Sequence, residues 1–224
     1  MSRVTLDAHG LRRARRHLAA ADPVLARLVG EAGALPLPLR KGGSAFAYLS
    51  RAILSQQISV AAARSIAARL TVRFGWPWRP GQILAASDAE LRGLGLSRQK
   101  VSYLRDLASH ARRGLPLERL SRLDDERVIE TLTVVKGIGR WTAEMYLMFR
   151  LARPDVLPVD DLGIRNAMRR AYAMRSLPDK RRVRRIAEAW RPYRSLACFY
   201  LWRSLDSGKG PPPPTRRKGR RKSR

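Results

Sequence analysis

The chain has 224 residues, 45% of them hydrophobic, with 46 Lys and Arg against 18 Asp and Glu and a formal charge of +28. That length suits one large domain or two small ones sharing a core, and the charge asks for a polyanionic partner, nucleic acid first among them, ahead of a merely basic or ribosome-bound protein. The single cysteine, Cys198, excludes an internal disulfide framework, a four-cysteine zinc site and a cysteine-held iron–sulfur cluster.

The opening, MSRVTLDAHGLRRARRHLAAADP, is basic but lacks the roughly 7–15-residue apolar core of a secretory signal. Its histidines, His9 and His17, have no metal-ligand spacing with each other or with His110, and read as solvated side chains. DPVLARLVGEAG (22–33) reads as a helix capped by Asp22 with Pro23 at its first position. SAFAYLSRAILSQQIS (44–59) has apolar positions at Phe46, Leu49, Ile53 and Leu54. The next helix, 59–75, is capped by Ser59 and closed by Gly75. Val60, Ala63, Ile66, Ala67 and Leu70 form its predicted buried face. WPWRPG (76–81) is a proline-broken loop.

SDAELRGLG (87–95) is a short capped helix, and 97–114 a longer one capped by Ser97. The glycine turn between them is either a second contact to a nucleic-acid backbone or an ordinary helix end. Helices over 124–135 and 139–151 flank VVKGIGRW, and DDLGIRNAMRRAY (160–172) is another capped helix. DKRRVRRIAEAW (179–190) stops before Pro192, and the last helix restarts from Ser195. No strand is predicted, and no apolar run approaches the roughly 20 residues that span a bilayer. The tail SGKGPPPPTRRKGRRKSR (207–224) cannot build a core and is expected to be disordered, serving as a phosphate-binding arm or a solubilising terminus.

A G-I-G turn between two helices is a device for holding a phosphate backbone. Glycine permits positive φ and close approach, and the N–H groups that open the following helix point at the same spot. Lys136 and Arg140 add charge to Gly137 and Gly139 there, with Thr142 in the first turn beyond. An ordinary tight helix–helix turn is the alternative.

VVKGIGRWTAEMY (134–146) resembles the helix–hairpin–helix of the DNA glycosylase superfamily, in which the hairpin is followed by a Gly/Pro-rich loop and an aspartate; VLPVDDLGIRNAMRR fits that loop. AILSQQISVAAARSIAARL and WRPYRSLACFYLW are similar to the 3-methyladenine DNA glycosylase II branch, in its compact all-helical form without the N-terminal β-rich subdomain of larger members. The resemblance spans about residues 20–205 in four ordered blocks. It implies an all-α fold of two helical subdomains, about 35–125 and 1–34 plus 126–206, with a cleft for DNA and base between them.

The resemblance also implies roles for single residues. Asp161, with an aliphatic Ile164 three positions on, matches the catalytic acid, whereas Asp160 would put Gly163 there; Asp160 is then the cap or loop-orienting acid. Trp141 stands where lyase-type members carry a lysine, so water is the expected nucleophile and the product an intact abasic strand. An indole face suits a cationic alkylated purine of the 3-methyladenine or 7-methylguanine type. Trp202 matches a second pocket aromatic, and a third pocket position falls on Met145. Gln57, with Gln56 beside it, falls at the intercalating wedge. No organic cofactor and no side-chain metal site are indicated, and a monovalent cation on the hairpin carbonyls is left open. The expected partner is double-stranded DNA with damaged bases, not a membrane. The expected form is a monomer acting in the cytoplasm in base excision repair. A glycosylase for other damaged bases, or a non-catalytic DNA-binding module, remains the alternative.

Overall fold

A computed structural model describes residues 8–206 except 36, 38, 40 and 41; the 207–224 tail lies outside the described residues. Among the described residues there are twelve α-helices and two short 3₁₀ turns, and no strand. The helices are α1 Ala8–Ala21, α2 Pro23–Ala32, α3 Ala45–Ser55, α4 Val60–Phe74, α5 Pro80–Ala85, α6 Asp88–Gly93, α7 Arg98–Arg112, α8 Asp125–Thr133, α9 Arg140–Phe149, α10 Leu162–Ala171, α11 Lys180–Ala187 and α12 Arg194–Asp206. The 3₁₀ turns are Leu117–Arg122 and Glu188–Trp190.

The starts are set by side-chain caps. Asp22, Ser44, Ser59, Ser87, Ser97, Asp124, Asp161 and Asp179 each accept from a backbone N–H of the first turn, satisfying donors that a helix end leaves open. Two helices escape the sequence reading. The Arg-rich opening forms α1, and the proline loop at 76–81 passes straight into α5, with Pro80 at its first position. Along α4, only Ile66 and Leu70 are buried; Val60 is 69% exposed and does not join the core face expected of it.

The chain divides into two compact units, Met1–Leu37 with Pro154–Arg224, and Pro38–Arg153. In the first, α2 packs on α1 and α12, and α12 on α10. Leu18, Leu25, Ile164, Met168, Val183, Trp190 and Leu201 are buried in it. Asp22 is its polar hub: Oδ1 takes the Val24 and Leu25 N–H groups, and Oδ2 accepts from the Trp190 Nε1–H at 2.9 Å and from the Tyr172 hydroxyl. Burial, then the bond to Asp22, pushes the Tyr172 hydroxyl well above its usual range.

In the second unit α7 lies against α3, α5 and α6, and α8 packs on α9. Its core includes Leu49, Ile53, Leu70, Ile83, Leu104, Leu107, Leu132 and Leu147. The sequence groups 126–153 with the two termini, but the structure groups them with 38–125. The reason is local: Tyr48 of α3 stacks edge-on to Tyr146 of α9, and Asp106 of α7 accepts the Lys136 N–H at 2.8 Å. His17 is half-buried against Tyr193, and His110 approaches Asp106 at 3.6 Å, so of the three histidines only His9 stands exposed. Among the described residues no helix is long and apolar enough to cross a membrane.

Candidate active site

The loop before α10 is fixed from α12. Ser195, far from opening a helix with its side chain, sits buried one residue inside α12; its Oγ accepts the Val156 N–H at 2.9 Å and its N–H donates to the Pro154 carbonyl at 3.0 Å. Asp155 is clasped by Arg191 and Arg194 at 2.8 and 2.7 Å. The Asp161 N–H then turns back to the Pro158 carbonyl, and α10 begins.

Asp161 is buried, and its Oδ1 accepts two bonds, from the Ile164 N–H at 2.7 Å and from the Trp202 Nε1–H at 3.0 Å. The cap of α10 is therefore Asp161, which corrects the assignment of that job to Asp160. Both acids have cap chemistry; the register of the helix start decides between them. Asp160 is exposed and ion-paired to Lys180 at 2.5 Å, and that ammonium holds its carboxyl below the usual range. A carboxylate at a helix N-terminus, bonded by a second helix, has its position over-determined.

Trp202 is half-buried beside Phe199, their rings 5.9 Å apart. Gly163 is a site residue that the sequence does not announce. A Cβ there would stand 2.9 Å from Asp161 Oδ1 and 3.1 Å from Trp202 Nε1. The signal was its place two residues after the aspartate, but its purpose is tertiary.

The second unit holds the hairpin. Between α8 and α9, Val135 and Ile138 are buried as apolar anchors. Gly137 has φ +81, and a Cβ on it would fall 2.1 Å from the Tyr103 ring. The space that a Cβ on this glycine would occupy is filled by Tyr103. Gly139 differs: a Cβ there would meet nothing within 4 Å, and it begins α9 with no side-chain cap. It keeps the geometry in which a helix N-terminus receives an anion.

Lys136 is exposed beside this end. Arg140 is not a simple outward charge. It makes a two-pronged pair with Glu126 at 2.7 and 2.8 Å and reaches Glu144 at 3.2 Å, clamping α8 to α9. The guanidinium and the Glu126 carboxylate stabilise each other's charged forms, Arg140 raised and Glu126 lowered. Thr142 is buried, so only its main chain suits a backbone contact.

Trp141 is 45% exposed at the start of α9, which removes core packing as its purpose. Met145, one turn on, is half-buried, and its carbonyl accepts from the Tyr48 hydroxyl at 3.4 Å. Tyr146 points away into the core, where burial pushes its hydroxyl up to about 12.

The two glutamines after α3 take separate places. Gln57 is exposed with φ +56, a left-handed conformation that costs a non-glycine residue about 1 kcal/mol. Gln56 is half-buried and its Nε2–H donates to the Gly137 carbonyl at 2.8 Å. The two glutamines expected together at the wedge thus differ: Gln57 stands exposed at the turn and Gln56 is tied to the hairpin. Among the described residues, no group of three or more His, Cys, Asp or Glu side chains could hold a metal. The carbonyls of Val135, Gly137 and Gly139 already accept the Ile138 N–H, the Gln56 amide and the Ala143 N–H. A hairpin cation would have to share oxygens in use.

Residues 50–192 match the family model described as HhH-GPD superfamily base excision DNA repair protein. The chain is 36% identical over 199 residues to DNA-3-methyladenine glycosylase 1 of Schizosaccharomyces pombe, covering 87% of each protein. Among solved structures it resembles the 3-methyladenine DNA glycosylase of that yeast in complex with abasic DNA, with 35% identity, TM-score 0.76 and coverage of 87% of this chain and 97% of that one. It also resembles a DNA-3-methyladenine glycosidase from Bacillus halodurans, with 34% identity, TM-score 0.77 and coverage of 85% and 88%.

Proposed function

The chain belongs to the HhH-GPD superfamily of base excision DNA repair proteins, and from that premise we propose that it is a monofunctional DNA glycosylase removing alkylated purines from duplex DNA. The observation that carries the reading is the fixed, buried Asp161 carboxylate bonded to the Trp202 indole. It unites the acid that glycosidic cleavage needs with an aromatic that a base can lie against.

The chemistry follows from charge. As the bond from sugar to base lengthens, positive charge grows on the deoxyribose, and a carboxylate already in place stabilises it without reorganisation. The same carboxylate orients or deprotonates the attacking water. A 3-methyladenine or 7-methylguanine base is itself cationic, so it leaves readily and stacks favourably on an indole face such as that of Trp202, beside Asp161. The base must be extruded from the duplex to be reached, and Gln57 fills the gap it leaves. Lys136, the Gly139 end of α9 and the main chain of Thr142 hold the phosphates. No lysine stands at 141, so no Schiff base forms and water ends the reaction on an intact strand.

The test is a panel of duplexes carrying 7-methylguanine, 3-methyladenine, hypoxanthine, uracil or 8-oxoguanine, scored for free base and for strand integrity before heat or alkali. Release of the methylated purines with an uncut strand is expected. Release of none of them, or strand cleavage without heat or alkali, overturns the proposal.

A further inference from the structure

The Gln56 side chain joins two segments 81 residues apart. Its Nε2–H donates to the carbonyl of Gly137, the residue whose φ of +81 and contact with Tyr103 fix the hairpin's shape. Its own backbone ends α3, its N–H donating to the Ile53 carbonyl at 3.3 Å, and the next residue is the left-handed, exposed Gln57. A left-handed glutamine persists only where its surroundings over-determine it.

The surroundings come from one helix. Lys100 of α7 is buried and its Nζ donates to the Leu54 carbonyl at 2.5 Å, at the C-terminal end of α3, where a cation is favoured. Tyr103, one turn on, lies under Gly137, and Asp106, the next turn on, takes the Lys136 N–H. Positions 100, 103 and 106 share a helix face. So α7 carries the end of α3 and the hairpin side by side, and the Gln56 amide closes the gap between them.

We propose that Gln56 is a positioning residue: it locks the Gln57 turn to the hairpin, so that gripping the strand and filling the emptied stack are done by one rigid element. The proposal rests on the reading of Gln57 as the wedge. A hairpin bound to phosphates then sets the wedge's depth, and a seated wedge holds the hairpin in register. Without the amide bond the hairpin still grips DNA, but the turn is free to relax and its reward on reaching a vacant stack falls.

The experiment measures affinity for a duplex bearing a tetrahydrofuran abasic analogue and for the same duplex intact, together with single-turnover release of 7-methylguanine. It uses wild type, Gln56→Leu, Gln57→Ala and the double variant, with Gln56→Glu as a second probe of the same contact. Leucine keeps the bulk and removes the donor; glutamate puts a carboxylate against the Gly137 carbonyl. Gln56→Leu should lower the preference for abasic over intact duplex by roughly fivefold, the scale of one hydrogen bond, with intact-duplex affinity unchanged. Gln57→Ala should lower the same preference alone and add little in the Gln56→Leu background, because the two act as a unit. Equal loss of affinity for both duplexes marks a merely structural contact and overturns the proposal. So does full additivity of the two losses, or a Gln56→Leu preference equal to wild type. A wild type that prefers abasic DNA yet releases no base fails the glycosylase reading and leaves this one intact.

Discussion

Gly163 has no side chain because Asp161 and Trp202 meet where one would be. Gly163→Ala should therefore cost activity and not stability. The methyl must displace either the carboxylate or the indole, while alanine gains a few tenths of a kcal/mol of helix propensity in the first turn of α10. A fall of about tenfold to a hundredfold in single-turnover base release is expected, with Tm within about two degrees. Trp202→Phe keeps an aromatic face and removes the donor to Asp161, so release should fall roughly tenfold while binding of abasic DNA persists. At this scale the sequence was partly legible. Asp161 and the two tryptophans could be nominated from the family resemblance. Gly163 could not, because its reason is a contact between α10 and α12. The cap could not be divided between two adjacent aspartates until the helix start was seen.

The hairpin and its flanking helices divide their cations between two uses. Arg140 is committed to Glu126 and Glu144, whereas Lys136 stands exposed. If each phosphate contact contributes about 0.9 to the slope of log affinity against log salt, Lys136→Gln should reduce that slope by about one. Arg140→Gln should change it by clearly less, and being half-exposed its ion pair should matter to stability by no more than about 1 kcal/mol. α9 also contributes a pH response. Tyr146 has its folded value raised to about 12 by burial, above the ordinary 10.0 of an exposed tyrosine. The unfolded chain then releases this proton first, so stability is intact below pH 10 and is lost between pH 10 and about 12. Melting temperature followed over that range should fall less steeply for Tyr146→Phe than for wild type. Helices with Ser or Asp caps at their starts were legible as elements. The arginine-rich α1, without such a cap, was not, and neither was the six-residue α5, whose opening Pro80 read as part of a proline loop. The tie from Gln56 to the hairpin was not legible, because its partner carbonyl lies 81 residues away.

At the scale of the molecule, residues from both ends of the chain build one unit and the middle builds the other. Asp22 ties the N-terminal part of the first unit to the C-terminal part through Tyr172 and Trp190. Asp22→Ala removes a helix cap and strands two donors in the core, so a loss of about 2–4 kcal/mol is expected by denaturant melting. The all-helical class was legible from helix caps, apolar spacing and the family resemblance, and a nucleic-acid partner from the charge. The boundary at 153 was not, because it depends on the hairpin's ties to α3 and α7. In the proposed mechanism Asp161 is the group that makes base release possible. Asparagine at 161 can still accept the Ile164 N–H, so the fold and the α10 cap should survive while the charge is lost. The decisive measurement is single-turnover release of 7-methylguanine from duplex DNA by wild type and Asp161→Asn, with abasic-duplex affinity measured on the same samples. A fall of about a hundredfold to ten-thousandfold in release is expected, with affinity kept within a few-fold; release by Asp161→Asn at the wild-type rate would contradict that role.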